Sequence, residues 1–441
     1  MNNTIELFSQ LENSKHTFLI QDGIKCTYSE FFYQVKEFER TFNTPDNFVI
    51  ISENTITDQL IKYCYCWLVG KVPVPLNPNL DQGTKQVIIE NLKEFESNYS
   101  FEKCNFAFIL FTSGSSGVPK GVPISHFSLI SNASRTAKVL GINKNDRIYI
   151  NTPFFTTSSI LHVLTQVVGK GTIIYDNSFS FGDDLVKKIK DSESTVFGGV
   201  PAHFIRIVGS PKINLPKLRI LVNSGDHLSS DIIGKLKQFL PSVSLFCMYG
   251  LTEVSGRLCV LDPNDLLKKI GSVGKPLQGM QIKIVDDEGK ECLPRKEGEV
   301  IVNGDMLMPG YINYNFPNEA FFCEYGFRTG DIGYLDDDGF LFLIGRKDNV
   351  FKVGGEKVSL NLIESSLIDL PGLMEFFAYK YKHPYFGFVP GLKYTLKEGM
   401  SVSKKEIINH LKTKVPKNHL PVKIDLESKL NKTQSGKFIR K

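Results

Sequence analysis

Short apolar runs alternate with amphipathic stretches through the first half of the chain, beginning near residue 46. The segments DNFVIIS, DQLIKYCYCWLVG and KVPVPLN predict a strand, a helix and a strand, and residues 106–113 predict a further buried strand. Residues 125–141 follow as an amphipathic helix. More buried strands, separated by helical segments, are predicted for DRIYIN, GTIIYD, ESTVFGG, LRILVNSG and VSLFCMYG. Strands that alternate with helices predict a doubly wound α/β fold, with parallel sheets covered on both faces and ligand loops at the carboxyl ends of the strands.

The pattern changes after about residue 257, where Asp-Gly turns join the strands, as in MQIKIVDDEG and GYLDDDGFLFLIG. Such turns favour antiparallel β structure. A last unit begins near Gly345, and the segment from Ser403 to Glu406 has the sequence of a helix capping box. We therefore expect a large N-terminal domain over 1–344, with layered sheets to about 256 and a β-rich subdomain over about 257–344. A hinge at 345–348 and a small α+β lid domain over 349–441 complete the predicted organisation.

The composition is that of a folded protein, since 41% of the 441 residues are hydrophobic and 22% are charged. These fractions exclude a disordered or collagen-like chain. The eight cysteines are scattered, without a CxxC pair or a Cys/His cluster at zinc spacing, which predicts reduced thiols in the cytoplasm rather than a disulfide framework or a metal centre. The N-terminal segment lacks the features of a signal peptide. The most apolar stretch, Ile61–Leu76, contains two lysines and two prolines, so we expect no membrane span.

Positive charge is concentrated near the C-terminus. The formal net charge is +5, yet residues 404–441 alone hold ten lysines and one arginine against three acidic residues. The rest of the chain is therefore slightly acidic, which argues against a nucleic-acid binder. On charge alone, the basic segment is either a solvated lysine-rich face or a lid that closes over a polyphosphate ligand.

The strongest local signal is a loop rich in hydroxyl groups and glycine between a predicted buried strand and a predicted helix. Glycines expose backbone N–H groups, hydroxyls add donors and lysine adds charge, a combination that suits a polyphosphate. The spacing is not that of a Walker A loop, and a flexible Ser/Gly turn is the alternative on these residues alone. The candidate phosphate-binding residues are Thr112, Ser113, Gly114, Ser115, Ser116, Gly117 and Lys120.

This loop resembles the phosphate loop of the adenylate-forming superfamily, which includes acyl-CoA synthetases, aryl and amino-acid adenylating enzymes and beetle luciferases. Four further segments match that superfamily in order: YGLTE at 249–253, FRTGD at 327–331, GRKD at 345–348 with Lys352, Gly355 and Val358 beyond it, and NKTQSGK at 431–437. The last segment departs from the usual pattern by Asn431 in place of proline. The chain thus resembles a compact member of the superfamily with a shortened N-terminal subdomain.

The resemblance implies an ATP site. The β- and γ-phosphates are expected on the loop 112–120, where N–H groups and Lys120 offset their charge. Thr252 is expected to meet a phosphate, and Glu253 is expected to supply a carboxylate to Mg²⁺, which prefers hard oxygen ligands. The ribose hydroxyls are assigned to Asp331. The other nucleotide-binding residues implied by the resemblance are Ser224, Gly225, Asp226, Tyr249, Gly250 and Arg346.

The resemblance also implies how the C-terminal unit takes part. Lys437 is expected to reach from the basic segment, hold the substrate carboxylate near the α-phosphate and offset the charge that develops as pyrophosphate leaves. Arg346 is a second catalytic candidate, and Asp348 is the hinge about which the lid would rotate. The channel for the thiol is assigned to Lys352, Gly354 and Gly355.

No histidine or serine nucleophile is required, because the substrate carboxylate itself attacks phosphorus. The eight histidines are accordingly expected to be structural, with His162 and His203 as candidate pocket walls. The expected acyl pocket contains Phe154, Phe155, Thr156 and Val200. Acyl-CoA synthetases usually carry histidine, and amino-acid adenylating members aspartate, where this chain has Thr156. Without that carboxylate an α-ammonium group would be buried unpaired, which favours an apolar aryl or fatty acid over an amino acid.

The leading functional hypothesis is an AMP-forming acid–thiol ligase that makes an acyl-adenylate from ATP and a carboxylic acid and then transfers the acyl group to a thiol. Coenzyme A is the expected thiol, and the phosphopantetheine of an acidic acyl carrier protein is the close alternative. A luciferase-like oxygenase and an inactive nucleotide-binding protein are the other two hypotheses. The C-terminal Ile-Arg-Lys lacks the peroxisomal tripeptide of beetle luciferases, and the intact Lys120, Glu253, Asp331 and Lys437 argue against an inactive protein.

Overall fold

The computed structural model describes residues 3–98, 105–113, 119–176, 183–211, 213–313, 318–354, 356–385 and 387–430. The helices are α1 (Ile5–Ser9), α2 (Tyr28–Thr41), α3 (Ile56–Leu68), α4 (Gln82–Asn98), α5 (His126–Leu140), α6 (Thr157–Gly169), α7 (Asp183–Asp191), α8 (Pro201–Val208), α9 (Ser230–Phe239), α10 (Leu360–Leu367) and α11 (Lys404–Lys412). No helix in these ranges is long and apolar enough to cross a membrane.

The strands of the first half are β1 (Thr17–Gln21), β2 (Ile24–Thr27), β3 (Phe48–Ile51), β4 (Val72–Pro75), β5 (Phe106–Ser113), β6 (Pro119–Ser125), β7 (Arg147–Ile150), β8 (Thr172–Tyr175), β9 (Val196–Gly199), β10 (Ile220–Ser224) and β11 (Ser244–Leu251). Those of the second half are β12 (Gly256–Leu261), β13 (Ser272–Pro276), β14 (Met280–Val285), β15 (Gly298–Gly304), β16 (Phe322–Cys323), β17 (Gly326–Leu335), β18 (Leu341–Arg346), β19 (Val350–Val353), β20 (Glu356–Ser359), β21 (Leu373–His383), β22 (Gly387–Leu396) and β23 (Lys423–Leu426).

The chain divides into two compact units. The first comprises Met1–Ile270, Gly274–Gln281 and Asn303–Cys323, and the second comprises Gly271–Val273, Ile282–Val302 and Glu324–Lys441. None of these unit boundaries coincides with the predicted domain boundary at 345–348. Part of the predicted β-rich subdomain belongs to the second unit. The hinge and the three-part domain organisation stay predictions.

A largely parallel sheet organises the first unit. Its strands follow the order β12-β11-β10-β9-β7-β8-β1-β2. The pairs from β11 to β1 are parallel, and this parallel run is flanked by two antiparallel pairs, β11 with β12 and β1 with β2. Helices α6 to α9 connect the central strands in sequence, as the alternation of apolar runs and amphipathic stretches predicts.

The helix beginnings follow from short polar side chains at the predicted positions. Ser125 caps α5, where its hydroxyl accepts a hydrogen bond from the Ser128 N–H, and Gly141 ends that helix in the left-handed conformation. The predicted capping box at α11 is confirmed: the Ser403 hydroxyl accepts from the Glu406 N–H at 3.2 Å, and the Glu406 carboxylate accepts from the Ser403 N–H at 2.7 Å.

The segments on either side of the predicted phosphate loop are both strands, which corrects one expectation. Strand β5 leads not into a helix but into β6, and the two pair antiparallel as a separate two-stranded sheet, with Thr112 opposite Lys120. The sequence PKGVPIS contains two prolines, which argue against a strand, because proline lacks the N–H that donates hydrogen bonds between strands. Helix α5 begins only after β6.

The second unit is mainly antiparallel, as the Asp-Gly turns predict. Strand β17 pairs antiparallel with β15 and β18, β19 pairs antiparallel with β20, and β22 pairs with both β21 and β23. Its C-terminal part has an apolar core of its own. This core contains Val358, Leu360, Ile363, Leu367, Leu373, Ala378, Leu392, Tyr394, Val402, Ile407, Leu411, Val415 and Ile424.

Candidate active site

One edge of the parallel sheet collects most of the predicted site residues of the first unit. In β9, β10 and β11, Gly199 lies opposite Asn223, and Asn223 lies opposite Cys247. The segments that leave these strands therefore start side by side. They carry the predicted acyl-pocket residue Val200 and the predicted nucleotide-binding residues Ser224, Gly225, Asp226, Tyr249 and Gly250.

The turn after β10 is shaped by its own backbone and side chains. Gly225 has φ of +91°, a conformation that favours glycine. The Asn223 side-chain amide donates to the Asp226 carbonyl at 3.0 Å, and the Asp226 carboxylate accepts from the His227 N–H at 2.7 Å. The exposed backbone of this turn is thus held in a fixed position, as a site that contacts a base through the main chain needs.

Glycine is required at position 250 by close packing. A Cβ there would overlap the carbonyl oxygen of Gly256 in the neighbouring strand β12. The motif YGLTE therefore places Tyr249 at the end of a strand and brings Thr252 and Glu253 immediately after it, in a short 3₁₀ helix over Thr252–Val254.

Two aromatic rings hold the predicted phosphate-binding lysine. The Lys120 ammonium lies 4.3 Å from the centroid of the Phe321 ring and 5.0 Å from that of Tyr311. The two rings are 4.8 Å apart at an interplanar angle of 78°. Such cation–π contacts restrict the ammonium group while leaving it charged. Lys120 is therefore positioned by two residues that sequence reasoning did not single out.

Tyr311 also contacts the predicted magnesium ligand. Its hydroxyl donates a hydrogen bond to Oε1 of Glu253 at 2.7 Å, and the Glu253 carbonyl accepts from the Met308 N–H at 2.8 Å. Tyr311 is 3% exposed, so its ring is fixed by packing. A single buried tyrosine thus contacts both the lysine predicted to bind phosphate and the glutamate predicted to bind Mg²⁺.

The donor set around Glu253 fits a magnesium ion that is shared with a substrate. Among the described residues, no group of three or more His, Cys, Asp or Glu side chains could hold a metal by itself. Mg²⁺ in nucleotide sites is typically bound by one or two carboxylates together with phosphates and water. Glu253 uses one carboxylate oxygen for Tyr311, and its other oxygen suits this role.

Thr252 and Thr156 take part in helix contacts that the motif alone does not reveal. The Thr252 hydroxyl lies 3.0 Å from the hydroxyl of Thr157, at the start of α6. Thr156 is the N-cap of α6, where its hydroxyl accepts from the Ser159 N–H and donates to the Pro153 carbonyl at 3.2 Å. A threonine at position 156 therefore has a structural role in addition to making the predicted pocket neutral.

The predicted acyl-pocket residues differ in their surroundings. Phe154 is 2% exposed and lies against Tyr63, with ring centroids 5.5 Å apart, so its ring is part of the aromatic core. Phe155 and Val200 are half-buried. Val200 contacts the turn after β10, since a Cβ at Gly225 would lie 3.3 Å from it. The lining of the acid site by these four residues stays a prediction.

The two candidate wall histidines are buried. His203 accepts a hydrogen bond at Nδ1 from the Val200 N–H at 3.2 Å, and burial lowers its pKa to about 4. His162 lies against β9, where a Cβ at Gly198 would overlap its ring. Its Nδ1 is 3.0 Å from the guanidinium of Arg257, a residue that sequence reasoning missed.

The second unit contains the other predicted nucleotide-binding residues. Asp331 and Arg346 lie opposite each other in β17 and β18, and the Arg346 guanidinium is 3.1 Å from the Asp331 carboxylate and 2.8 Å from the Thr329 carbonyl. Between these partners Gly330 has φ of +71°, and a Cβ there would lie 3.0 Å from the Arg346 guanidinium. The segment FRTGD thus builds a fixed carboxylate with a guanidinium beside it.

The predicted hinge residue, Asp348, lies two positions after Arg346 in the chain. Asp348 is exposed in a 3₁₀ helix over Lys347–Asn349, and Lys347 pairs with Glu299 at 3.0 Å. Glu299 is 7% exposed and also pairs with Arg328 at 2.9 Å. Of the predicted thiol channel, Lys352 is exposed in β19 and Gly354 forms the turn to β20 with φ of +59°.

Several predicted site residues lie outside the described residues. These are Gly114, Ser115, Ser116, Gly117, Gly355 and Lys437, together with the side chain of Ser113. Their assigned roles stay predictions.

Comparison with known proteins identifies the family. The profile of the AMP-binding enzyme family matches residues 94–312. The chain is 30% identical over 335 residues to 2-succinylbenzoate–CoA ligase of Bacillus licheniformis, covering 76% of this chain and 69% of that protein. The chain belongs to the adenylate-forming superfamily of AMP-binding enzymes. A second 2-succinylbenzoate–CoA ligase, from Oceanobacillus iheyensis, is 26% identical over 98% of this chain and 96% of its own length.

Solved structures agree with this assignment. The o-succinylbenzoate CoA synthetase of Bacillus subtilis, bound to its acyl-adenylate intermediate, superposes with a TM-score of 0.88 at 25% identity and covers 100% of this chain and 97% of its own. The same enzyme in complex with ATP and magnesium gives a TM-score of 0.86. The predicted α/β fold, the superfamily and the class of AMP-forming acid–thiol ligase are confirmed.

Proposed function

We propose that this adenylate-forming ligase activates an aryl carboxylic acid with ATP and transfers the acyl group to coenzyme A. The observation that carries the proposal is the arrangement around Tyr311, which holds a lysine ammonium and a glutamate carboxylate next to the predicted phosphate loop. ATP, Mg²⁺ and coenzyme A are the expected reactants, in agreement with the ligases and the ATP–magnesium complex to which the chain is similar.

In the first step the acid's carboxylate oxygen attacks the α-phosphorus of ATP, a new P–O bond forms, and the bond to pyrophosphate breaks. Lys120 would offset charge on the leaving phosphates, and Glu253 would hold Mg²⁺, which supplies charge neutralisation when bound. In the second step the thiol gives up its proton to solvent, its sulfur attacks the acyl carbon to form the C–S bond, and AMP leaves with the electron pair of the C–O bond. The protein positions the reactants and neutralises charge on the phosphates, and it provides no nucleophile of its own.

An aryl acid is favoured over an amino acid because Thr156 offers no charge to an α-ammonium group. Both relatives named above act, by their names, on 2-succinylbenzoate. Carboxylate-dependent exchange of pyrophosphate into ATP, run over a panel of aryl, fatty and amino acids, tests the first step. Release of AMP and formation of a thioester on addition of coenzyme A test the second. Exchange with amino acids alone, or no exchange with any acid, would contradict the proposal.

A further inference from the structure

The side chain of Asn313 bonds to the backbone on both sides of Lys120. Its amide oxygen accepts a hydrogen bond from the Gly121 N–H at 3.0 Å, and its amide nitrogen donates to the Pro119 carbonyl at 2.6 Å. A backbone N–H can only donate and a carbonyl can only accept, so these two partners fix the orientation of the amide. The Asn313 amide thus occupies the place that the peptide group of a neighbouring strand has in a sheet.

The sequence Pro-Lys-Gly at the start of β6 fits this arrangement. Strand β6 pairs with β5 on one side, and the segment 311–313 bonds to it on the other, where the Ile312 N–H donates to the Gly121 carbonyl at 2.9 Å. A Cβ at Gly121 would lie 2.6 Å from the Ile312 side chain, so glycine permits the close approach. Pro119 has no N–H, and its carbonyl is the group that Asn313 bonds.

The same segment also holds the side chain of Lys120, through the ring of Tyr311, whose centroid is 5.0 Å from the ammonium. Tyr311 is held in turn by Asn318, which is 4% exposed. The Asn318 amide nitrogen donates to the Tyr311 carbonyl at 3.1 Å, and its amide oxygen accepts from the Tyr311 N–H. Lys120 is therefore fixed twice by one segment, at its main chain by Asn313 and at its ammonium by Tyr311.

We infer that Asn313 is a positioning residue for the adenylation step, in which it fixes the main chain of β6 so that Lys120 presents its charge to the β- and γ-phosphates of ATP. The inference rests on the proposed function, which assigns these phosphates to Lys120. A lysine ammonium is a point charge on a flexible four-carbon stem, so it is preorganised only where both ends of the stem are held. Both polar atoms of the Asn313 amide bond to β6, and its effect on the nucleotide therefore passes through Lys120.

The test compares two nucleotides by isothermal titration calorimetry of the full chain. ATP with Mg²⁺ carries the β- and γ-phosphates, and AMP lacks them. Asn313→Leu keeps the size of the side chain and removes both hydrogen bonds. It is expected to raise the Kd for ATP by at least about fivefold, the lower range for two neutral hydrogen bonds, and to leave the Kd for AMP unchanged. Asn313→Ser, whose shorter side chain cannot bridge both backbone groups, is a second variant with the same expected result.

A double-mutant cycle tests whether the effect passes through the lysine. In a Lys120→Met background, adding Asn313→Leu should change the Kd for ATP by less than about twofold, because two changes that act through one group are not additive. Asn3→Leu is the matched control. The Asn3 amide also bridges two backbone groups, since it donates to the Trp67 carbonyl at 3.0 Å and accepts from the Ile5 N–H at 3.2 Å. This control should leave the Kd for both nucleotides unchanged.

The comparison of ATP with AMP separates positioning from folding, because a general loss of structure weakens the binding of both nucleotides. The inference is overturned if Asn313→Leu raises both Kd values by the same factor, or if it raises neither. It is overturned also if the variant raises the Kd for ATP equally with and without Lys120. Each of these results would leave the proposed function standing. If the unmodified protein bound neither nucleotide, the proposed function itself would be refuted.

Discussion

Replacing Tyr311 by phenylalanine separates its two contacts. The variant keeps the ring, and with it the cation–π contact to Lys120 and the edge contact to Phe321, but it removes the hydroxyl that donates to Glu253 at 2.7 Å. A hydrogen bond to a charged group typically contributes about 1.5–3 kcal/mol. If this bond serves to orient the magnesium ligand, its loss corresponds to about a 10- to 100-fold weaker hold on the metal.

The assay is a titration of Mg²⁺ in the ATP–pyrophosphate exchange reaction at saturating ATP and acid. We expect the half-saturating Mg²⁺ concentration of Tyr311→Phe to rise by at least about tenfold, while the KM for ATP at saturating Mg²⁺ changes little. Tyr394→Phe is the matched control, because it removes another buried tyrosine hydroxyl, one that donates to the Val402 carbonyl at 3.2 Å in the second unit. That control should leave the Mg²⁺ requirement unchanged.

The reciprocal variant is Phe321→Leu. It removes a ring 4.3 Å from the Lys120 ammonium and leaves the bond between Tyr311 and Glu253 in place. Its KM for ATP should rise several-fold, since a cation–π contact contributes about 0.5–2 kcal/mol, with an unchanged Mg²⁺ requirement. The reasoning fails if both variants change the same parameter. It fails also if Tyr311→Phe lowers only kcat, together with the melting temperature.

Three further variants test the predicted roles. Lys437→Ala should lower pyrophosphate exchange by at least about 10²-fold but still convert supplied acyl-adenylate and coenzyme A into thioester; equal loss of both half-reactions would contradict its assignment. Asp348→Pro, at the predicted hinge, fixes φ near the helical value and should retain exchange while thioester formation falls; parallel losses with a lower melting temperature would indicate simple destabilisation. Gly330→Ala places a Cβ 3.0 Å from the Arg346 guanidinium at a φ of +71°. It should lower the free energy of unfolding by about 1–2 kcal/mol and raise the KM for ATP. An unchanged free energy of unfolding and an unchanged KM would show that the turn relaxes.

The sequence predicts the parallel sheet well because each central strand is a short apolar run between two helices. Few folds other than a parallel sheet covered by helices fit this alternation. It predicts helix α11 equally well, since Ser403 and Glu406 form a local signal that needs no distant partner. The hairpin after β5 was missed for the opposite reason. Strand β6 is stabilised by its partner strand and not by its own composition, in which proline and glycine argue against a strand.

Prediction of the site is limited in the same way, because contacts between residues that are far apart in the chain leave no local pattern. Motifs predict Lys120, Glu253, Asp331 and Arg346, because each lies in a short segment with a characteristic spacing. Tyr311 lies 58 positions from its partner Glu253, and no local pattern connects the two residues. The residues just before Tyr311 are Pro-Gly, a pair that predicts only a turn.

The contact between Arg257 and His162 shows why the surroundings of the site are harder to predict than the reaction class. The chemistry of adenylation needs a fixed set of charges near the phosphates, so these charges occur in motifs. Recognition of the rest of the acid needs only a complementary surface, to which any strand or helix at the sheet edge can contribute. In the sequence Arg257 is one of many cations, and His162 is one of eight histidines. Only the fold shows that these two side chains, 95 positions apart in the chain, meet at 3.0 Å, because no local pattern connects them.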